Sequence, residues 1–72
     1  MKDKTLGKFG ENVRRLRLKR KLTQEQLSEI AECHPTYIGL VERGKSSVAV
    51  KKILKISKAL NCKVADLFKG LE

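Results

Sequence analysis

The residues whose types and spacing suit chemistry lie between Thr23 and Gly44, in TQEQLSEIAECHPTYIGLVERG, and that chemistry is recognition. Catalysis finds no footing. The chain holds one histidine and one tyrosine, no Ser/His/Asp set or carboxylate pair that helical spacing brings together, and no glycine-rich phosphate loop. Glu25 and Glu29 stand four apart on one expected helix, where exposed like charges are the ordinary reading. Cys33, His34 and Cys62 are three candidate metal ligands, but adjacent residues rarely share one metal, and no metal or other cofactor is expected. Both cysteines fall where an apolar residue would face a core, and they read as buried free thiols in a reducing cytosol.

Two short helices must position the recognition residues. Thr23 can cap the first with its hydroxyl, while Gln26 reaches back to the Thr23 amide. Leu27, Ile30 and Ala31 give that helix, about Gln24 to Ala31, an apolar stripe at helical spacing. The pattern breaks at Glu32-Cys33-His34 and restarts at Pro35, whose fixed φ and missing N–H suit a first helical position. The second helix runs from about Pro35 to Arg43, with Ile38 and Val41 inward and Gly44 as a left-handed stop. Two helices joined by so short a turn make a helix-turn-helix, whose second helix can enter the DNA major groove.

Several motifs here stand at the mutual spacing of a known family. Leu22-Thr23-Gln24, Leu27, Ala31, Tyr37-Ile38, Val41 and Glu42-Arg43-Gly44 resemble the helix-turn-helix of the phage-repressor (Cro-type) regulators, also called the xenobiotic-response-element family. Small controller proteins of restriction-modification systems belong to it. The resemblance covers about residues 9 to 69. It implies an all-α, lambda-repressor-like domain, a phosphate contact at Gln24, and a structural salt bridge between Arg17 and Glu42 that fixes the reading helix. Two positions depart from the pattern. Glu32 stands where glycine is common, so it must take roughly 1 kcal/mol of strain or another turn geometry. His34 stands where Ser or Thr usually caps, and imidazole caps less well.

With Ile38 and Val41 inward, the opposite surface of the second helix comprises Pro35, Thr36, Gly39, Leu40 and Arg43. Base reading usually relies on Arg, Lys, Asn or Gln forked onto a base edge. Pro35, Gly39 and Leu40 have no side-chain donor. Thr36 and Leu40 can meet thymine methyls, and His34 can donate to a base or phosphate. Such a helix reads bases weakly, which leaves more of the specificity to duplex shape. Tyr37 either offers its hydroxyl to a phosphate or lies half buried against the preceding helix. Arg43 and Lys45 flank Gly44 at phosphate reach, and Lys52 is a further phosphate candidate.

Composition bounds the rest. One domain of 72 residues hides only roughly 60% of its unfolded surface. Two phenylalanines, one tyrosine and no tryptophan leave a core of Leu, Ile, Val and Ala. No apolar run is long enough for a membrane span or a signal peptide, and the cytoplasm is the expected location. The formal charge is +9, unevenly spread: +7 over residues 1–22, −3 over 23–44 and +5 over 45–72. If the partner is double-stranded DNA, the flanks must supply most of the phosphate attraction.

Outside the motif, Leu6, Phe9, Val13 and Leu16 mark a first helix from Thr5 to Arg20, firm from about Phe9 because Gly7 and Gly10 weaken its start. Val50, Ile53, Leu54, Ile56, Ser57 and Leu60 mark a fourth, which Asn61 stops. A last short helix spans Val64 to Lys69. The expected architecture is a compact five-helix all-α bundle. Leu67, Phe68 and Leu71 are more apolar surface than a chain end needs and point to a homodimer on a two-half-site operator. No small-molecule ligand is evident. The resulting function is that of a small homodimeric transcriptional regulator, the alternative being an antitoxin or anti-regulator acting through a protein partner.

Overall fold

The computed structural model describes residues 4–71, within which the helices run α1 (Lys4–Lys19), α2 (Gln24–Ile30), α3 (Pro35–Glu42), α4 (Val50–Ala59) and α5 (Val64–Leu67). The charged stretch from Met1 to about Lys4 reads from sequence as a frayed start; Lys4 instead begins α1, and Met1–Asp3 lie outside the described residues. Phe9, Val13, Leu27, Ala31, Ile38, Val41, Ile56, Leu60 and Leu67 form the core on which all five helices close. No strand occurs among the described residues.

The helix α1 begins earlier than its glycines suggest. Gly10 sits against the α3 backbone, where a Cβ would collide with the carbonyls of Val41 and Glu42. Here glycine lets two helices touch, and burial of Phe9 and Val13 offsets its poor helix propensity.

Four helix ends share one hydrogen-bonding device. After α1, Lys21 N–H donates to Leu18 and Leu22 N–H to Arg17; after α2, Glu32 donates to Glu29 and Cys33 to Ser28. Gly44 and Lys45 do the same after α3, and Asn61 and Cys62 after α4. This paired closure needs a positive φ at its first residue, and Lys21, Glu32, Gly44 and Asn61 have φ of 58°, 57°, 71° and 51°. Glu32 therefore takes the strained conformation rather than another turn. The second residue of the closure usually touches the helix it has left, which places Leu22, Cys33 and Cys62 against the core. Both thiols are free and half buried rather than fully buried.

The Thr23 capping box forms, with Thr23 Oγ1 accepting from Gln26 N–H at 3.0 Å and Gln26 Oε1 from Thr23 N–H at 2.8 Å. His34 does cap α3: its Nδ1 accepts from Thr36 N–H at 3.1 Å. Three apolar residues read as inward are exposed instead, namely Ile30, Val50 and Leu54. Ile30 ends a seven-residue helix, and Val50 and Leu54 lie on the flank of the α4 stripe, where no neighbouring helix covers them.

The chain end corrects one expectation. Leu67 does not belong to a surface for association: it is 0% exposed and part of the core. Asn12, buried in α1, donates from Nδ2 to the carbonyls of Leu67 and Lys69, both at 2.9 Å. That amide satisfies carbonyls at the end of α5 and ties it to α1. Phe68 remains 38% exposed, its ring 5.1 Å from that of Phe9, and Leu71 is half buried.

Candidate nucleic-acid interface

An open concavity of about 790 Å³ runs between the end of α1, the start of α2 and the outer side of α3. Pro35, Thr36, Gly39 and Arg43 form its α3 wall. These are the residues that the inward turn of Ile38 and Val41 leaves outside. Thr36 and Arg43 are exposed, whereas Gly39 is buried beneath Arg43 and the Gln24 amide. Leu40 is half buried and lies off this concavity.

Gln24 stands at the first position of α2, but its side chain is committed inward: Nε2 donates to Glu42 Oε1 at 3.1 Å. Glu42 also receives Arg17, from Nε to Oε2 at 2.6 Å and from Nη2 to Oε1 at 3.1 Å. Arg17 spends a further donor, Nη1, on the Leu22 carbonyl at 2.8 Å. Both charges are thus buried and satisfied, as burial demands. The network ties the α1 end, the α2 start and the α3 end into one wall of the concavity.

On the far flank of α3, His34, Tyr37, Ser47 and Lys52 line a second open concavity of about 630 Å³. With Nδ1 of His34 accepting a bond, Nε2 is left as its donor. Tyr37 packs half buried on the core, with Cys33 beside it. Burial, and then the neighbouring Cys33, push its hydroxyl pKa above the usual tyrosine value, so it stays a neutral donor. Lys45 is exposed just past α3. Lys52 is half buried, and its ammonium donates to the Glu32 carbonyl at 2.6 Å, a partner that its sequence position gave no hint of.

Sequence reasoning gave Leu18, Lys21 and the exposed Glu25 no place in the site, and all three line the first concavity. Leu18 and Lys21 do so because the positive φ of Lys21 turns the chain back there. A glycine would have advertised that turn; a lysine does not. The arrangement offers hydroxyl, guanidinium, ammonium and imidazole donors across an open surface, which suits a phosphate backbone and groove edges. Among the described residues no group of three His, Cys, Asp or Glu could hold a metal, and no described helix is long and apolar enough to cross a membrane.

Known proteins place the same geometry in context. The chain is 47% identical over 59 residues to the control protein C.SmaI of Serratia marcescens, spanning 82% of this chain and 70% of that one. It is 45% identical over 60 residues to the control protein C.BamHI of Bacillus amyloliquefaciens, spanning 82% and 74%. Among solved structures it superposes on the restriction-modification controller protein C.AhdI of Aeromonas hydrophila. That match has a TM-score of 0.86 and 40% identity, over 88% of this chain and 96% of that one. The helix-turn-helix family model matches residues 13–67, and the chain belongs to that family of sequence-specific DNA-binding transcription regulators, which are not enzymes.

Proposed function

We propose that this chain is a cytoplasmic homodimer that binds a two-half-site operator and controls transcription in a restriction-modification system. The reading of α3 as the major-groove helix rests on one observation: its outer flank, Pro35, Thr36, Gly39 and Arg43, walls a concavity open to solvent beside Lys21. Thr36, Leu40 and His34 approach base edges, while Arg43, Lys45, Tyr37 and the Gln24 end of α2 approach phosphates. No side chain among Pro35, Thr36, Gly39 and Leu40 can fork onto a base, so the deformability of the operator carries much of the discrimination.

The controller proteins that the chain matches support the restriction-modification setting. A homodimer would bring two reading helices to one duplex, which so small a reader needs for useful affinity. Phe68 beside an apolar groove with Phe9, Val48 and Ile53 supports an association surface there.

The test is selection of bound duplexes from random sequence, followed by a salt titration on the winner. Log K should fall with log salt with a slope of about 5 or steeper for the dimer. A flat line, or no enriched sequence, would remove the reading.

A further inference from the structure

We infer that Lys52 is a positioning residue for DNA reading: from α4 it clamps the strained turn that sets the entry of α3, instead of neutralising a phosphate. The inference rests on the proposed role of α3 in the major groove.

The turn between α2 and α3 hinges on Glu32, whose φ of 57° is a conformation that side-chain-bearing residues rarely adopt. Its own N–H makes a long bond to Glu29, at 3.3 Å. Two lysines one helical turn of α4 apart compensate. Lys52 Nζ donates to the Glu32 carbonyl at 2.6 Å, and Lys55 Nζ lies 3.3 Å from Glu32 Oε1. The first bond holds the backbone itself, and the second only an exposed side chain. Two residues further along, His34 caps α3 and Pro35 begins it, so the direction of the Glu32 carbonyl passes directly into the direction of the reading helix.

Packing makes this bond informative. Helix α4 packs on α2 and α5, while α3 packs on α1 and α2. Through Lys52, α4 reaches the backbone of the turn. The half-buried stem of Lys52 lies along the concavity that also holds Cys33, His34 and Tyr37, which directs the ammonium toward the turn. Without the clamp, Glu32 can relax toward negative φ, and α3 then meets the groove at another angle. Base-edge contacts depend on that angle, whereas phosphate attraction depends far less on it.

The experiment compares the selected operator with a scrambled duplex of equal length, for the full chain carrying Lys52→Met, Glu32→Gly, or both. Methionine retains the stem and helix propensity but has no ammonium. Lys52→Met should lower operator affinity about tenfold, a loss on the scale of one misplaced base contact, with scrambled binding and the salt slope unchanged. Glycine accepts positive φ freely, so in the Glu32→Gly background the same change should cost less than about twofold. Equal loss on both duplexes, with the slope falling by about one, would make Lys52 a phosphate contact and overturn the inference. So would an unaffected operator affinity. A Lys52→Met chain that loses its helical circular dichroism, and that Glu32→Gly does not restore, would also overturn it, because Lys52 would then serve the whole fold. Failure of the unaltered chain to prefer any duplex would instead remove the groove reading on which the inference stands.

Discussion

Arg17 and Glu42, twenty-five residues apart, meet in a two-pronged ion pair with side chains only 9% and 3% exposed. The pair joins α1 to α3, and Gln24 adds the start of α2 through Glu42 Oε1. The Glu42 carboxylate behind α3 is therefore neutralised inside the fold, and the exposed Glu25 is the acid that lines the first concavity. The exposed cations Lys21, Arg43 and Lys45 are left to face outward.

Removing one half of this pair should be costly. Glu42→Ala leaves a buried arginine with only the Leu22 carbonyl as partner, and should destabilise the fold by roughly 3 kcal/mol. In a chain of this size that lowers Tm by more than about 10 °C. Arg17→Met with Glu42→Leu together should recover most of the loss, since a buried pair is often replaceable by apolar volume. Thermal and urea melts of the three chains check both statements. An unchanged Tm in Glu42→Ala would show the pair to be energetically idle.

The two glycines of α1 should respond oppositely to alanine. A Cβ at Gly7 meets nothing within 4 Å, and Gly7→Ala should stabilise the helix by up to about 1 kcal/mol. At Gly10 a Cβ meets the Val41 and Glu42 carbonyls, and Gly10→Ala should cost at least about 2 kcal/mol as α1 and α3 are forced apart. Thermal melts decide. Stabilisation by both would mean that the helices do not touch at Gly10.

The chain end separates folding from association. Leu67→Ala should destabilise the monomer by about 2–5 kcal/mol, because its side chain is completely buried. Phe68→Glu should leave the helical signal largely intact, shift sedimentation toward the monomer and weaken binding to a two-half-site operator. A dimer that persists in Phe68→Glu would move the interface elsewhere, with the exposed Val50 and Leu54 of α4 the next surface to alter.

Both thiols should be sluggish in the folded state. Burial raises the pKa of Cys33, partly opposed by Lys52 and Lys55; burial also raises that of Cys62, with Asp66 adding to the rise and Arg20 opposing it. Thiolate is the reactive form, so alkylation at pH 8 should run slower in the folded chain than in urea. A folded pKa above the unfolded one stabilises below the unfolded value, and that contribution is lost as pH rises through the folded value. The thiols therefore add to an alkaline loss of stability and not an acidic one. Mass spectrometry of timed alkylation checks the rates, and equal rates in both states would show the thiols to be open.

What the sequence determined by itself was written within single helical turns. Thr23 with Gln26, Pro35 at the head of α3, and apolar residues at intervals of three and four locate the helices. Capping and periodicity act between near neighbours, so they are legible before any fold exists. Gly44 and Asn61 announced their stops for the same reason. The rest depended on partners distant in the chain. Nothing near Lys21 marks a positive φ, and at Glu32 only the glycine common in the resembling family raised one, with another turn geometry left open. Glu32 meets lysines of α4 about twenty residues on, Lys52 at its carbonyl and Lys55 at its carboxylate. Leu67 and Phe68 are equally apolar neighbours, and packing against the other helices puts the first in the core and leaves the second at the surface, while Asn12, fifty-five residues before Leu67, ties the end of α5 to α1. Gly10 looked like a weakness in α1 until α3 was laid across it. Contacts of this kind arise only when helices pack, because their geometry belongs to pairs of elements rather than to either one alone.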